Sequence, residues 1–250
     1  MNDMPKLSNP IADTVAPIAN VALLSGLIER VMSRAPGLPG MGVFYGPSGF
    51  GKSTAAAFGA NMHSAYVIEM RSSYTQKHLL EKIAIEVGVE STGTIARLHD
   101  RIAEQLALSA RPLLIDEADF LAKKAIIEIV RDLYEASQGA VIMIGEERFP
   151  AKIEKWERVH GRVLDFVAAE PLSDDDARHL MQLYCPNLTV DAKLFEKLRR
   201  ESGPSARRFT SNIYAVAEKA RVLGKSSVGM AEFGDVHFWN GRAPAARRFT

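Results

Sequence analysis

Residues 46–53 read G-P-S-G-F-G-K-S, and no other segment restricts the possible folds so narrowly. The apolar stretch Met41-Gly42-Val43-Phe44-Tyr45 precedes them, and an alanine-rich segment, 54–60, follows. Strand, glycine-rich turn and helix form the context in which this pattern makes a phosphate-binding loop. The glycines let backbone N–H groups turn inward around a β-phosphate, and the helix N-terminus adds its partial positive charge. In such a loop Gly46, Pro47, Ser48, Gly49, Phe50, Gly51 and Thr54 line the cradle. Lys52 reaches the β- and γ-phosphates, and Ser53 holds Mg²⁺. A chance Gly-Lys-Ser turn would have neither the strand nor the helix. The chain is therefore expected to bind a nucleoside triphosphate.

Four further strand candidates, 65–70, 112–116, 140–144 and 162–167, are short and apolar or β-branched, with helical pattern between them. That alternation predicts a parallel sheet covered on both faces. Helical spacing is expected over 21–33, and two amphipathic segments surround Leu79, Leu80, Ile83 and Val87, then Ile95, Leu98, Ile102 and Leu106. After Pro171 the strand signals stop. Ser173 with Asp174, Asp175 and Asp176 makes an acid-rich helix start with a capping box. A second helix is expected over 191–202, ending at Gly203, and a third through about residue 223 with Pro204 as its first residue. The expected organisation is an N-terminal arm (1–20), an α/β core (21–170), a helical unit (171–223) and a basic tail (224–250). Residues 204–210, P-S-A-R-R-F-T, recur as P-A-A-R-R-F-T at 244–250, matching at six of seven positions.

Charge divides unevenly along the chain. Residues 193–250 carry 12 Lys/Arg against 5 Asp/Glu, a net of +7, so the first 192 residues hold −6 of the overall +1. A basic C-terminal quarter suits a polyanion-binding face, and equally a solvated helical surface. The single cysteine, Cys185, excludes a disulfide framework and suits a reducing cytoplasm. No stretch approaches the roughly 18 apolar residues of a membrane span, so a soluble, cytoplasmic protein is expected. The six histidines lack zinc-ligand spacing. Trp156 and Trp239 read as helix packing residues.

The third strand ends L-L-I-D-E-A-D. A strand-end aspartate beside a phosphate loop, Asp116, would orient the Mg²⁺ shell, and the adjacent Glu117 would polarise the attacking water. Asp119 reads as a helix N-cap.

The phosphate loop, an intervening strand, L-L-I-D-E and a following helical unit together resemble an AAA+ ATPase over about residues 20–222. The resemblance implies a three-layer, parallel-sheet α/β core of the P-loop AAA+ type with a small C-terminal helical lid, using ATP and Mg²⁺. It implies a polar sensor one strand beyond the acidic one; here that position reads Gly145-Glu146, where family members often show Asn, Ser or Thr. It also implies an arginine finger reaching a neighbouring subunit's γ-phosphate, either Arg158 or Arg162 with Arg162 favoured, and a lid arginine, Arg207 ahead of Arg208.

The run from Ile18 through the phosphate loop, with L-L-I-D-E-A-D-F-L and V-I-M-I-G-E-E-R-F, is similar to the transposition ATPases of Mu-like phages. That likeness implies a protein that assembles with itself as a ring or filament on double-stranded DNA, selects target DNA and stimulates a transposase, in the host cytoplasm if phage-encoded. Such a filament needs backbone-directed cations. Arg71, Ser72 and Lys77 in segment 71–77, with Lys123 and Lys124, are the candidate DNA contacts; Arg242, Arg247 and Arg248 are further basic candidates. Two other readings share parts of these motifs. One is a secretion-type or signalling ATPase acting on a protein without DNA. The other is a replication-initiator or helicase-loader ATPase, which usually adds a winged helix that residues 224–250 are too few to form.

Overall fold

The computed structural model describes residues 18–123, 126–234 and 238–241, in two compact units. The larger comprises Asn20–Ser48 and Lys52–Glu170. Its elements run α1 (Ala19–Met32), β1 (Met41–Tyr45), α2 (Lys52–His63), β2 (Tyr66–Glu69), α3 (Gln76–Val87), α4 (Ile95–Ser109) and β3 (Leu113–Asp116), then α5 (Asp119–Lys123), α6 (Ile127–Ser137), β4 (Val141–Gly145), α7 (Phe149–Ile153), α8 (Glu157–His160) and β5 (Val163–Ala168). The five strands form one parallel sheet in the order β2-β3-β4-β1-β5.

Side chains alternate across each strand, so β1 feeds two apolar layers. Met41 and Val43 join a buried cluster with Leu79, Leu80 and Ile83 of α3, Leu98 and Ile102 of α4, and Val130 and Leu133 of α6. On the other face, Gly42 lets α1 come close: an added Cβ would meet Leu27 and Val31 at 3.1 Å. Gly59 of α2 does the same for Ile28, whose Cδ1 would lie 2.9 Å from a Cβ. Helices thus cover both faces, as the alternating pattern predicts. Observed strands differ from the expected ranges by a residue or two at their ends, where pairing rather than hydrophobicity sets the limit.

The edge strands are managed differently. Glu86 of α3 accepts the outward-facing N–H of Val67 on β2 at 3.1 Å. Beyond β5, the buried Asn20 accepts the Glu170 N–H at 2.7 Å and donates to the Glu170 carbonyl at 2.8 Å, tying α1 to the exit of the last strand. Asn20→Ala removes both bonds and is expected to lower stability by about 1–2 kcal/mol. A shifted urea midpoint with unchanged slope would show it; an unmoved midpoint would reject the clamp.

The smaller unit holds Pro171 onward, with Ala19 and Gly49–Gly51. Its elements are α9 (Asp174–Tyr184), β6 (Thr189–Val190), α10 (Ala192–Ser202), α11 (Ala206–Leu223), β7 (Ser227–Val228) and α12 (Met230–Phe233). The capping box is present: Ser173 Oγ accepts the Asp176 N–H, and the Asp176 carboxylate accepts the Ser173 N–H, both at 3.0 Å. Three expectations are corrected. Strands do recur after Pro171, since β6 and β7 pair in parallel, each too short to leave a period in the sequence. Ala206, not Pro204, is the first residue of α11, because Ser205 caps the helix, its Oγ accepting the Arg208 N–H at 3.2 Å. Trp239 lies outside any helix and is 52% exposed, its backbone held by Asn212. Trp156 sits at the start of α8, packed on the core cluster.

Candidate nucleotide site

The site residues collect at the C-terminal edge of the parallel sheet, where strand ends and helix N-termini converge. β1 ends at Tyr45, and Gly46 N–H donates to the Gly145 carbonyl at the end of β4 at 3.3 Å. A Cβ at Gly46 would lie 2.9 Å from that of Ala169, so the loop can start there only as glycine. Gly49 and Gly51 hold φ of +86° and +88°, a conformation L side chains rarely adopt, and between them the chain turns back into α2. Gly49 and Gly51 are only partly buried, and Ser48, Ser53 and Thr54 are exposed.

Lys52 opens α2, its ammonium donating to the carbonyls of Gly46 at 2.7 Å and Pro47 at 2.9 Å. Burial pushes this ammonium below 10.5, while Asp116, Glu117, Glu146 and Asp119 pull it back up. Asp116 is buried at the end of β3, and its Oδ1 accepts the Glu117 N–H at 2.8 Å. Glu117 is exposed and holds φ +53°, a left-handed backbone that is uncommon for a non-glycine residue and turns the chain sharply off the strand. Burial pushes the Glu117 carboxyl above 4.5, Asp116 and Glu146 push it further, and Lys52 opposes them. The fold therefore brings Lys52, Asp116 and Glu117 together from segments more than 60 residues apart.

At the sensor position, a Cβ on Gly145 would stand 2.6 Å from the Phe149 ring, so no side chain fits there. Glu146 follows, exposed and within electrostatic reach of Lys52 and Glu117. Asp119 is not the helix cap expected of it. It is the first residue of α5, buried, and its carboxylate takes the Glu146 N–H at 2.6 Å and an ion pair with Lys152 of α7. Sequence reading missed Lys152 because 33 residues separate the partners and no local period links them.

Arg158 and Arg162 lie elsewhere. The Arg162 carbonyl accepts the Met41 N–H at the start of β1, the sheet edge opposite the phosphate loop. Five residues at about 3.3 Å each separate the two edges. Its guanidinium pairs with Glu135 of α6 at 2.7 Å, both groups exposed. Arg158 in α8 is exposed and makes no ion pair among the described residues. In the smaller unit, Arg207 occupies the first turn of α11, exposed, with its backbone N–H on the Gly49 carbonyl at 3.0 Å.

Of the candidate DNA contacts, Arg71 and Ser72 are exposed in the loop after β2. Lys77 pairs with Glu81 at 3.7 Å. Lys123 ends α5, its ammonium 5.0 Å from the Phe120 ring centroid. β2 and β3 are neighbours, with Glu69 opposite Asp116, so this loop and α5 leave the same sheet edge. Lys124, Arg242, Arg247 and Arg248 lie outside the described residues.

The strand order, phosphate loop and acidic strand end define the α/β P-loop AAA+ fold, and residues 37–153 match the family model described as an AAA domain. The structure is similar to the Orc1 protein of Aeropyrum pernix solved in complex with DNA, at 18% identity and TM-score 0.64, over 90% of this chain and 66% of that one. It is also similar to Cdc6p from Pyrobaculum aerophilum, at 14% identity and TM-score 0.63, over 87% of this chain and 67% of that one. At these identities the likeness is one of fold, and the chain spans about two thirds of the length of those proteins. Among curated proteins, none matches it in sequence. No helix among the described residues is long and apolar enough to cross a membrane.

Proposed function

We propose that this chain hydrolyses ATP, binds duplex DNA without sequence preference as an assembly of its own copies, and delivers that DNA to a transposase. The observation that carries the reading is the convergence of Lys52, Asp116 and Glu117 beside the phosphate loop, with the Arg71 loop and Lys123 on the same sheet edge. Lys52 would neutralise the β- and γ-phosphate oxygens, and Glu117 would orient the attacking water. The Ser53 hydroxyl and the buried Asp116 carboxylate are hard oxygen donors of the kind Mg²⁺ takes, and would hold such an ion, which would supply positive charge to the triphosphate. The Orc1 structure solved with DNA supports a nucleic-acid partner over a protein one.

Arg158 and Arg162 lie near the edge away from their own phosphate loop, so either can serve only a neighbouring copy. A guanidinium there would add charge to a γ-phosphate through two N–H bonds. Arg158 is the freer of the two, since Arg162 is engaged by Glu135. Arg158→Ala is expected to leave ATP affinity intact and to lower DNA-stimulated turnover by about 10³-fold. Arg162→Ala loses only an exposed ion pair, of about 0–1 kcal/mol, if Arg158 is the finger. Steady-state ATPase assays with and without DNA separate the two, and full turnover by both variants would remove the finger from this segment.

The test of the whole reading is fluorescence anisotropy of a labelled duplex with ATP, ADP or no nucleotide, at two salt concentrations. Tight, ATP-dependent, salt-sensitive binding is expected. Intact ATPase activity with no DNA binding in any nucleotide state would transfer the reading to a protein-directed ATPase. Stimulation of strand transfer by an added transposase tests the last step.

A further inference from the structure

Asp119 is a buried carboxylate that nucleotide chemistry of the proposed kind leaves without a task. It stands three residues past Asp116, yet its oxygens turn towards the strand beyond: Oδ2 accepts the Glu146 N–H at 2.6 Å and Oδ1 pairs with Lys152. Its side chain is 5% exposed. The surrounding backbone makes that contact consequential. Ala118 N–H donates to the Ile144 carbonyl at 2.9 Å, and the Gly145 carbonyl takes the first N–H of the phosphate loop. Gly145 itself can carry no side chain, since the Phe149 ring fills that space. The end of this strand therefore admits no side chain at Gly145, and Glu146 is the first side chain available there.

We propose that Asp119 is a positioning residue that clamps Glu146 and α7 to the acidic strand end, so that turnover, rather than ATP affinity, depends on it. The inference rests on the ATPase reading. A residue fixed by its own backbone N–H cannot drift relative to the group that fixes it, and a misplacement of about 1 Å near reacting atoms costs about a hundredfold in rate. Lys152 balances the buried charge, which would otherwise be strongly unfavourable.

Two double variants isolate the clamp from the charge. Asp119→Asn with Lys152→Met keeps an oxygen for the Glu146 N–H. Asp119→Leu with Lys152→Met has the same net charge and similar volume but no acceptor. Replacing a buried ion pair by apolar groups of like size is often neutral for stability, so the Asn/Met protein is expected to melt near the parent and the Leu/Met protein somewhat below it, because the Glu146 N–H loses its acceptor. The Asn/Met protein should turn over ATP in the presence of duplex DNA within about threefold of the parent. The Leu/Met protein should lose about a hundredfold in kcat with unchanged ATP affinity. By NMR, its Glu146 amide should exchange with solvent about tenfold faster than in the Asn/Met protein. Equal turnover and equal exchange in the two variants would overturn the proposal. So would a fall in Tm confined to the Leu/Met protein and accompanied by lost ATP affinity, which would make the contact structural only. Should the parent bind ATP without hydrolysing it, the ATPase reading fails, and the exchange comparison alone decides the clamp.

Discussion

Lys52→Ala is expected to abolish measurable ATP turnover and to weaken ATP binding by about 10²–10⁴-fold. The side chain supplies charge-assisted hydrogen bonds to two phosphates, each of about 1.5–3 kcal/mol, and each 1.4 kcal/mol is a factor of ten. The effect should exceed the loss of two bonds in water, because the charge of Lys52 also opposes those of Asp116, Glu117, Glu146 and Asp119. Without it a triphosphate would meet Asp116, Glu117 and Glu146 with less opposing positive charge. The free protein should still fold, since the ammonium's direct bonds are to loop carbonyls rather than to the core. Isothermal titration with ATP and Mg²⁺ gives the affinity, and a phosphate-release assay the rate. Normal turnover by this variant would refute the phosphate-loop assignment.

Glu117→Gln should separate binding from hydrolysis. A positioned general base contributes about 10²–10⁴-fold, so kcat should fall by that factor while ATP still binds. With hydrolysis slowed, the DNA complex formed with ATP should outlast that of the parent, read as slower release of a labelled duplex after competitor is added. A parent-like rate would take Glu117 out of the water-polarising role. The same substitution carries a stability signature with a defined sign. In the folded protein the Glu117 carboxyl is pushed above its ordinary 4.5 by burial, then by Asp116 and Glu146. A carboxyl raised on folding stabilises fully below 4.5 and loses that contribution as pH rises through the folded value. Glutamine has no charge to bury. The variant should therefore melt above the parent near pH 7, and the difference should vanish by about pH 4. An advantage that grew towards acid pH would contradict the electrostatic account.

Much of this was legible in the residues because the signals were local. The phosphate loop needs glycines at Gly46, Gly49 and Gly51, a lysine and a hydroxyl in fixed order, and an eight-residue span can encode that. The parallel sheet followed from short apolar runs separated by helical periods, and the start of α9 from Ser173 and its acids. The misreadings arose where neighbours in space are distant in sequence. Asp119 has the composition of a helix cap, and only the approach of β4 and α7 gives its carboxylate other partners. Pro204 suits a first helical residue, but the Ser205 hydroxyl took the cap one position later. β6 and β7 are two residues each, and their pairing spans a gap of nearly forty residues.

By itself the sequence determined the glycine-rich loop after β1, the acidic pair at the end of β3 and the parallel α/β class, because each is a pattern of residue types whose chemistry depends on immediate neighbours. Tertiary structure alone decided which acids face Lys52, that Gly145 admits no side chain, that Asp119 holds Glu146, and that Arg162 is paired while Arg158 is exposed. Those outcomes depend on distances between strands β1, β3 and β4 and the helices that follow them, and burial then fixes the strength of each charge. No periodicity along the chain carries that information.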